Sequence, residues 1–372
     1  MRDLDVASGG PSRSVPALAE SQSRLPGIKV SVFYQDTGNS VVSLPASEVD
    51  FRPLAGSIPW FGNMMNSQFD SNGVVAKDCI FHLHGLWTPL LHKAAAYARM
   101  RHLPYVISTR GMLAQWALEH KAFKKRLAWW LYQEKDLSCA DYILTSGEFE
   151  RRDVSAVLPG SKIVVIPNGC GERPNEVTCF NPLPGDTDTR WVLAMGRLHP
   201  VKGFAELIEA WSGLGLSGWR LAIAGPDEGG YRARLEELIR KHGLMDRVLL
   251  LGEVSDAEKW TLLEQCELFV APSKTENFGM AIAEALQSGT PVITTTGTPW
   301  RELNEYDCGW WIGPGTEELR RVLKVATEQD AQVLGRKGAK GQKLIREKYS
   351  WNQAAARTIA LYQSILCRDS LQ

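Results

Sequence analysis

Apolar positions along this chain change period again and again, and each change outlines an element. From residue 78 onward, short apolar runs of strand character (79–85, 104–109, 141–146, 162–166) alternate with stretches of helical spacing (89–100, 112–137, 147–156). After a Pro-, Asn-, Asp- and Gly-rich stretch at 170–190, which reads as an interdomain linker, the alternation resumes. Strand-like runs at 191–195, 219–224, 248–251, 268–271, 291–295 and 309–312 are separated by helical segments. The first of these segments carries Phe204, Leu207, Ile208, Trp211 and Leu214 at helical spacing. Helices are expected at 316–325, 330–349 and 351–366. Before residue 78 the pattern is weaker. A helix follows the Gly9-Gly10 turn, strands are expected at 29–34 and 49–54, and 60–69 reads as a short helix or loop.

Strands that alternate with helices imply parallel sheets covered on both faces. The expected fold is α/β, with two Rossmann-like domains, 1–175 and 176–350, facing a cleft. A terminal helix, 351–372, packs back on the first domain. Most strands of the second series end in a glycine-bearing turn, and such turns gather on the carboxyl edge of a parallel sheet, where ligands bind.

Composition narrows the function. The 42 basic residues balance the 42 acidic ones, which argues against nucleic acid as a partner. The seven cysteines are scattered without C-x-x-C spacing, so a zinc site is not expected and a reducing, cytoplasmic location is. No apolar run is long enough to span a bilayer, and the N-terminus lacks a signal-peptide pattern. Within 112–137, Trp116, Phe123, Leu127, Trp130 and Leu131 form an apolar stripe beside Lys121, Lys124, Lys125 and Arg126. The favoured reading turns the stripe toward the core. The alternative lays this basic face on an anionic membrane surface, peripherally on the cytoplasmic side.

The chemistry concentrates in KTENFGMAIAEALQSGTPVI, residues 274–293. Glu276 and Glu284 bracket a glycine turn and the start of an apolar helix. Gly279 lets backbone approach a ligand, and unpartnered N–H groups at the helix start attract an anion. On a continuous helix, residues eight apart lie about 12 Å apart along the axis, enough to hold both ends of an extended polar ligand. The plainer reading makes Glu276 a dipole partner and Glu284 a salt-bridged helix residue. Arg197 and Lys202 share one glycine-flanked loop, Gly196 to Gly203, and two fixed cations suit a diphosphate. His82 and His84 share one strand face and read as satisfied histidines rather than metal ligands; His84 and Arg110 end their strands, where a ligand would be met.

Taken together, the Gly196-Arg197 to Lys202-Gly203 loop, the glutamates of ENFGMAIAE, the Ser8-Gly9-Gly10 loop, HLHGLW (82–87), STRGML (108–113) and IPNG (166–169) resemble the retaining GT-B glycosyltransferases that build bacterial lipopolysaccharide, capsule and glycolipids. The resemblance covers nearly the whole chain and is strongest in the second half. It implies transfer of a hexose from a nucleotide-diphospho-sugar to a glycan or lipid-linked acceptor, with no metal and no other cofactor. Arg197 and Lys202 would neutralise the diphosphate. Glu276 would contact donor-sugar hydroxyls. Gly196, Asn277, Phe278, Gly279 and Met280 would line the donor, Glu284 would hold the ribose, and Gly9 and Gly10 would reach the phosphates. His84 and Arg110 are candidates for the sugar or acceptor side; relatives often carry His where this chain has Arg110. The alternatives are a catalytically weak sugar-nucleotide-binding partner of a transferase complex, or a phosphorylase or epimerase of the same fold.

Overall fold

The computed structural model describes residues 1–4, 10–38, 48–54, 78–171, 183–184 and 189–369. The chain divides into two compact units, Met1–Gly169 with Trp351–Gln372, and Cys170–Ser350.

In the first unit, β1 (Ser31–Gln35) and β2 (Asp50–Leu54) form a two-stranded parallel sheet. A second parallel sheet holds β3 (Phe81–His84), β4 (Tyr105–Ser108), β5 (Tyr142–Thr145) and β6 (Ile163–Val165) in sequential order. The strands of this domain are therefore shared between two sheets. β4 is buried along its whole length, as a central parallel strand covered on both faces must be. On one face Val106 and Leu144 meet Ile359, Tyr362 and Ile365 of the last helix, Trp351–Asp369. On the other, Ile107 and Ile143 pack among Leu90, Leu91 and Tyr97 of the helix Pro89–Met100. The same last helix lies against Gly10–Ser23, with Ala354 and Ala355 on Leu18.

The second unit is one six-stranded parallel sheet, with β7 (Arg190–Met195), β8 (Trp219–Ala224), β9 (Val248–Gly252), β10 (Leu268–Ala271), β11 (Val292–Thr295) and β12 (Gly309–Ile312). Their order is β12-β11-β10-β7-β8-β9. The direction of strand addition reverses between β7 and β10, which makes a topological switch point at their carboxyl ends. Side chains alternate as a pleat requires. Val192, Ala194, Leu221, Ile223 and Val270 enter one core, and Trp191, Leu193, Ala222, Ala224 and Phe269 the other.

Two expectations fail. The segment 112–137 is not one helix but Gln115–Glu119, Ala122–Ala128, a π-helical turn Trp129–Gln133, and Glu134–Ser138. Lys121 breaks it, with φ of 54° in the left-handed region. The apolar stripe there does not face the core: Trp116, Phe123, Leu127, Trp130 and Leu131 are all exposed. Helical spacing identifies a stripe but not the direction it faces, and a break midway frees the segment from the sheet. The 60–69 segment lies outside the described residues.

Candidate active site

The carboxyl ends of β7 and β10 carry the decisive loops of the second unit. After β7, His199 caps a short 3-10 turn, Pro200–Lys202, its ring nitrogen accepting from Val201 N at 3.2 Å. Gly203 follows with φ of 71°, and a Cβ there would stand 2.1 Å from the carbonyl oxygen of Pro272. Only glycine lets this loop lie against the end of β10. The Lys274 N–H then donates to Val201 O at 2.8 Å and joins the two loops.

This contact sets the central pair. Lys202 Nζ is salt-bridged to Glu276 Oε1, and Ser273 Oγ donates to the same oxygen at 2.9 Å. Both charged side chains are mostly but not fully buried, at 19% and 17% exposure, so the pair is shielded yet reachable. Glu276 is not on the helix. It sits in the loop, its N–H donating to Gly297 O at 2.9 Å, and the helix Met280–Gln287 begins four residues later. The helical estimate of the Glu276–Glu284 separation therefore does not apply, and Glu276 is no first-turn dipole partner.

Gly279 opens that helix at φ 82° with no side-chain cap, so first-turn N–H groups remain available to an anion. Asn277 and Met280 flank this turn. The Phe278 side chain turns inward, against Trp300 and Tyr349, and its carbonyl accepts from Trp300 Nε1 at 2.5 Å. What Phe278 can offer a ligand is therefore backbone.

Glu284 is satisfied from outside its own helix. Lys259 Nζ lies 2.6 Å from its Oε1 and 3.2 Å from Asp256. Burial pushes Lys259 down, but Glu284 and Asp256 outweigh it and hold the ammonium above the usual lysine range. Lys259 is a residue that sequence reading missed; a lone lysine beside Trp260, Leu262 and Leu263 was its only signal. Arg197 stands apart from Lys202. It pairs at 2.6 Å with Glu228 from the loop after β8, and both are about half exposed. Gly196 lies under Lys202, whose Cε a Cβ there would meet at 3.5 Å.

In the first unit the strand ends build a different cluster. His82 lies between Tyr362 Oη at 2.5 Å and Ser108 Oγ at 2.8 Å. Its ring is 3.9 Å from that of His84. Arg110 Nη2 donates to His84 Nδ1 at 3.0 Å, and Nη1 to Asn168 Oδ1 at 2.8 Å. Its Nε is buried without a partner. Burial, followed by neighbouring positive charge, drives both histidines well below the usual imidazole range, so they are neutral. Arg110 holds φ of 52°, and Glu150 fixes the strained loop. That carboxylate accepts from Thr109 Oγ1 and Gly111 N at 2.6 Å, from Ser146 N at 2.7 Å and from Ser146 Oγ at 2.8 Å. Glu150 was also missed; its signal is the spacing Ser146 to Glu150 at a helix start. Gly10 begins the helix Gly10–Ser23, with open space where a Cβ would stand, and Gly9 lies outside the described residues.

Residues 179–340 match the family described as Glycosyl transferases group 1, and residues 9–169 match the Glycosyl transferase 4-like domain. The chain belongs to this glycosyltransferase family. It is 27% identical over 230 residues to an MMP alpha-(1->4)-mannosyltransferase of Mycolicibacterium hassiacum, covering 57% of this chain and 51% of that protein. It is 24% identical to a GDP-mannose:cellobiosyl-diphosphopolyprenol alpha-mannosyltransferase of Komagataeibacter xylinus, over 99% of this chain and 92% of that one. The matches to the first three curated relatives span only about half the length of those proteins, between 40% and 59%. Among solved structures, sucrose-phosphate synthase from Thermosynechococcus elongatus superposes with a TM-score of 0.77 at 17% identity, covering 99% of this chain and 96% of that one. That likeness establishes the fold as GT-B, two α/β domains with parallel sheets.

Proposed function

We propose that the protein transfers a hexose from a nucleotide-diphospho-sugar to a glycan or lipid-linked acceptor of cell-surface polysaccharide synthesis, with retention and without a metal. The observation that carries this reading is the Lys202–Glu276 pair, held with Ser273 just ahead of the uncapped helix at Gly279. Fixed charges there are aimed where charge develops. The donor C1–O bond to phosphate breaks, Lys202 and the helix N–H groups stabilise the diphosphate that leaves, and Glu276 is released to the sugar hydroxyls. The acceptor oxygen bonds C1 on the same face and gives its proton to a diphosphate oxygen. Glu284, held by Lys259, would accept the ribose hydroxyls. Arg197 would leave Glu228 for the diphosphate. The mannosyltransferase named above uses GDP-mannose and a diphosphopolyprenol-linked acceptor, which supports this donor and acceptor class for the present chain.

The test is calorimetric binding of UDP, GDP, ADP and their sugars to wild type and Lys202→Ala, with and without EDTA. Tight binding of one nucleotide family, lost in the variant and indifferent to EDTA, is expected. Binding that survives Lys202→Ala, or that requires a divalent ion, would overturn the assignment.

A further inference from the structure

In the second unit the turn at Gly279 is backed by the end of β11 and the loop that follows it, residues 295–300. Three hydrogen bonds seat this loop against residues 273–278. Thr295 Oγ1 donates to Ser273 O at 2.5 Å, the Glu276 N–H donates to Gly297 O at 2.9 Å, and Trp300 Nε1 donates to Phe278 O at 2.5 Å. Trp300 is 1% exposed, with its ring 5.2 Å from that of Phe278 and 5.0 Å from that of Tyr349. A side chain packed this closely keeps one rotamer, so its N–H has one direction.

The orientation of one peptide follows. In a planar trans peptide the carbonyl oxygen and the next N–H point in opposite directions, and no described peptide bond is cis. The Phe278 oxygen is held toward Trp300, in the core, so the Gly279 N–H is aimed away from it. Among the described residues that N–H donates to no protein acceptor, whereas the Glu276 N–H is used by Gly297. Gly279 stands at φ 82°, and a glycine accepts the rotated peptide at little steric cost. Rotation would put the Phe278 carbonyl where the N–H stands, and a carbonyl oxygen repels the anion that an N–H attracts. The turn therefore needs a group that fixes this peptide, and the buried indole supplies it.

We propose that Trp300 is a positioning residue for the transfer. Its indole N–H fixes the Phe278–Gly279 peptide so that the Gly279 N–H, and not the Phe278 carbonyl, meets the diphosphate as it leaves. Trp300 touches no reacting atom and acts through backbone alone. A donor set in advance is worth most where charge develops, because nothing has to reorient when the sugar–phosphate bond breaks. This role rests on the donor reading of the second unit.

Trp300→Phe keeps an aromatic ring and removes the N–H. Turnover is read as nucleoside diphosphate released from the sugar nucleotides of UDP, GDP and ADP. With the donor that wild type uses, kcat should fall about ten- to hundredfold while KM stays within about threefold. A calorimetric stoichiometry equal to that of wild type shows that the fall is not a loss of folded protein. Trp311→Phe is the control. It also loses an indole N–H, the one donated to Thr298 O at 2.9 Å in the same loop, and its turnover should stay close to wild type. Unchanged turnover in Trp300→Phe, a loss carried by KM alone, or an equal loss in Trp311→Phe overturns the positioning role and leaves the donor reading in place. Wild type that binds and turns over none of these nucleotides overturns the donor reading, and the positioning role with it.

Discussion

In the second unit each site carboxylate meets a lysine from another element, Glu276 with Lys202 and Glu284 with Lys259. In the first unit the cation at the strand ends, Arg110, hydrogen-bonds an imidazole nitrogen and an amide oxygen, and the charge that offsets it, the Glu150 carboxylate, acts on it through space. One site is electrically closed on itself and opens by exchanging partners. The other has no direct ion pair: its hydrogen-bond partners are neutral and its carboxylate stands off at a distance. A site of the first kind holds a charged ligand by competition; one of the second kind costs stability whether or not a ligand comes.

The largest expected effect breaks the closed site. Glu276→Gln keeps the shape and removes the charge that steers Lys202. If the pair acts on the transferring group, the initial rate of transfer falls about a hundred- to thousandfold. A rate within a factor of a few of wild type would reduce Glu276 to a structural acceptor.

Next comes the Lys259–Glu284 pair, 13% and 15% exposed. Lys259→Met leaves Glu284 shielded and unpaired, and urea unfolding should show a loss of about 3–5 kcal/mol. The double variant Lys259→Met/Glu284→Leu should recover most of it, since an apolar pair of similar size costs little. If the double variant stays as unstable as the single one, packing rather than charge governs this helix contact.

The first unit is sharpened by pH. His82 and His84 are held neutral in the folded protein, below their usual range of about 6.5. Between the folded and unfolded values the unfolded chain binds more protons, so stability is complete above about pH 6.5 and declines as pH falls below it. Each histidine contributes a slope of up to about 1.4 kcal/mol per pH unit. Thermal melts from pH 7.5 to 5 should show the decline, and His84→Gln should flatten part of it. A flat profile in wild type would mean the histidines already titrate normally.

The same contrast separates what could be read from sequence. Strands β7 to β12 were legible because each is an apolar run and all but β10 are closed by a glycine turn, and loops such as Gly196 to Gly203 carry their cations in one short stretch. Glu284 looked anomalous among Met280, Ile282 and Leu286, and it is paired as such a carboxylate must be. Its partner was not legible, because Lys259 lies 25 residues away on another helix. Glu150 was hidden for the same reason: the two hydrogen bonds by which it braces the 109–111 loop cross 41 and 39 residues, and only its two contacts to Ser146 are local. The stripe at 116–131 misled because a period reports a face and not a direction. The left-handed Lys121 and the π-turn at Trp129 detach that face from the sheet.

The smallest effect discriminates most finely. Arg197 and Glu228 are 49% and 43% exposed, and such a pair is worth no more than about 1 kcal/mol. Neither Arg197→Ala nor Glu228→Ala should shift the melting temperature measurably. Their effects on nucleotide-diphosphate affinity should have opposite signs. Removing Glu228 frees the guanidinium it occupies, so binding holds or tightens by a factor of about two to five, the share that the ion pair had withheld. Removing Arg197 deletes a phosphate donor and weakens binding. Calorimetry on both variants decides the matter. Opposite signs place Arg197 on the diphosphate, in exchange with Glu228. Equal, small changes leave it a surface cation, and Lys202 alone then separates the working loop from its solvated neighbour.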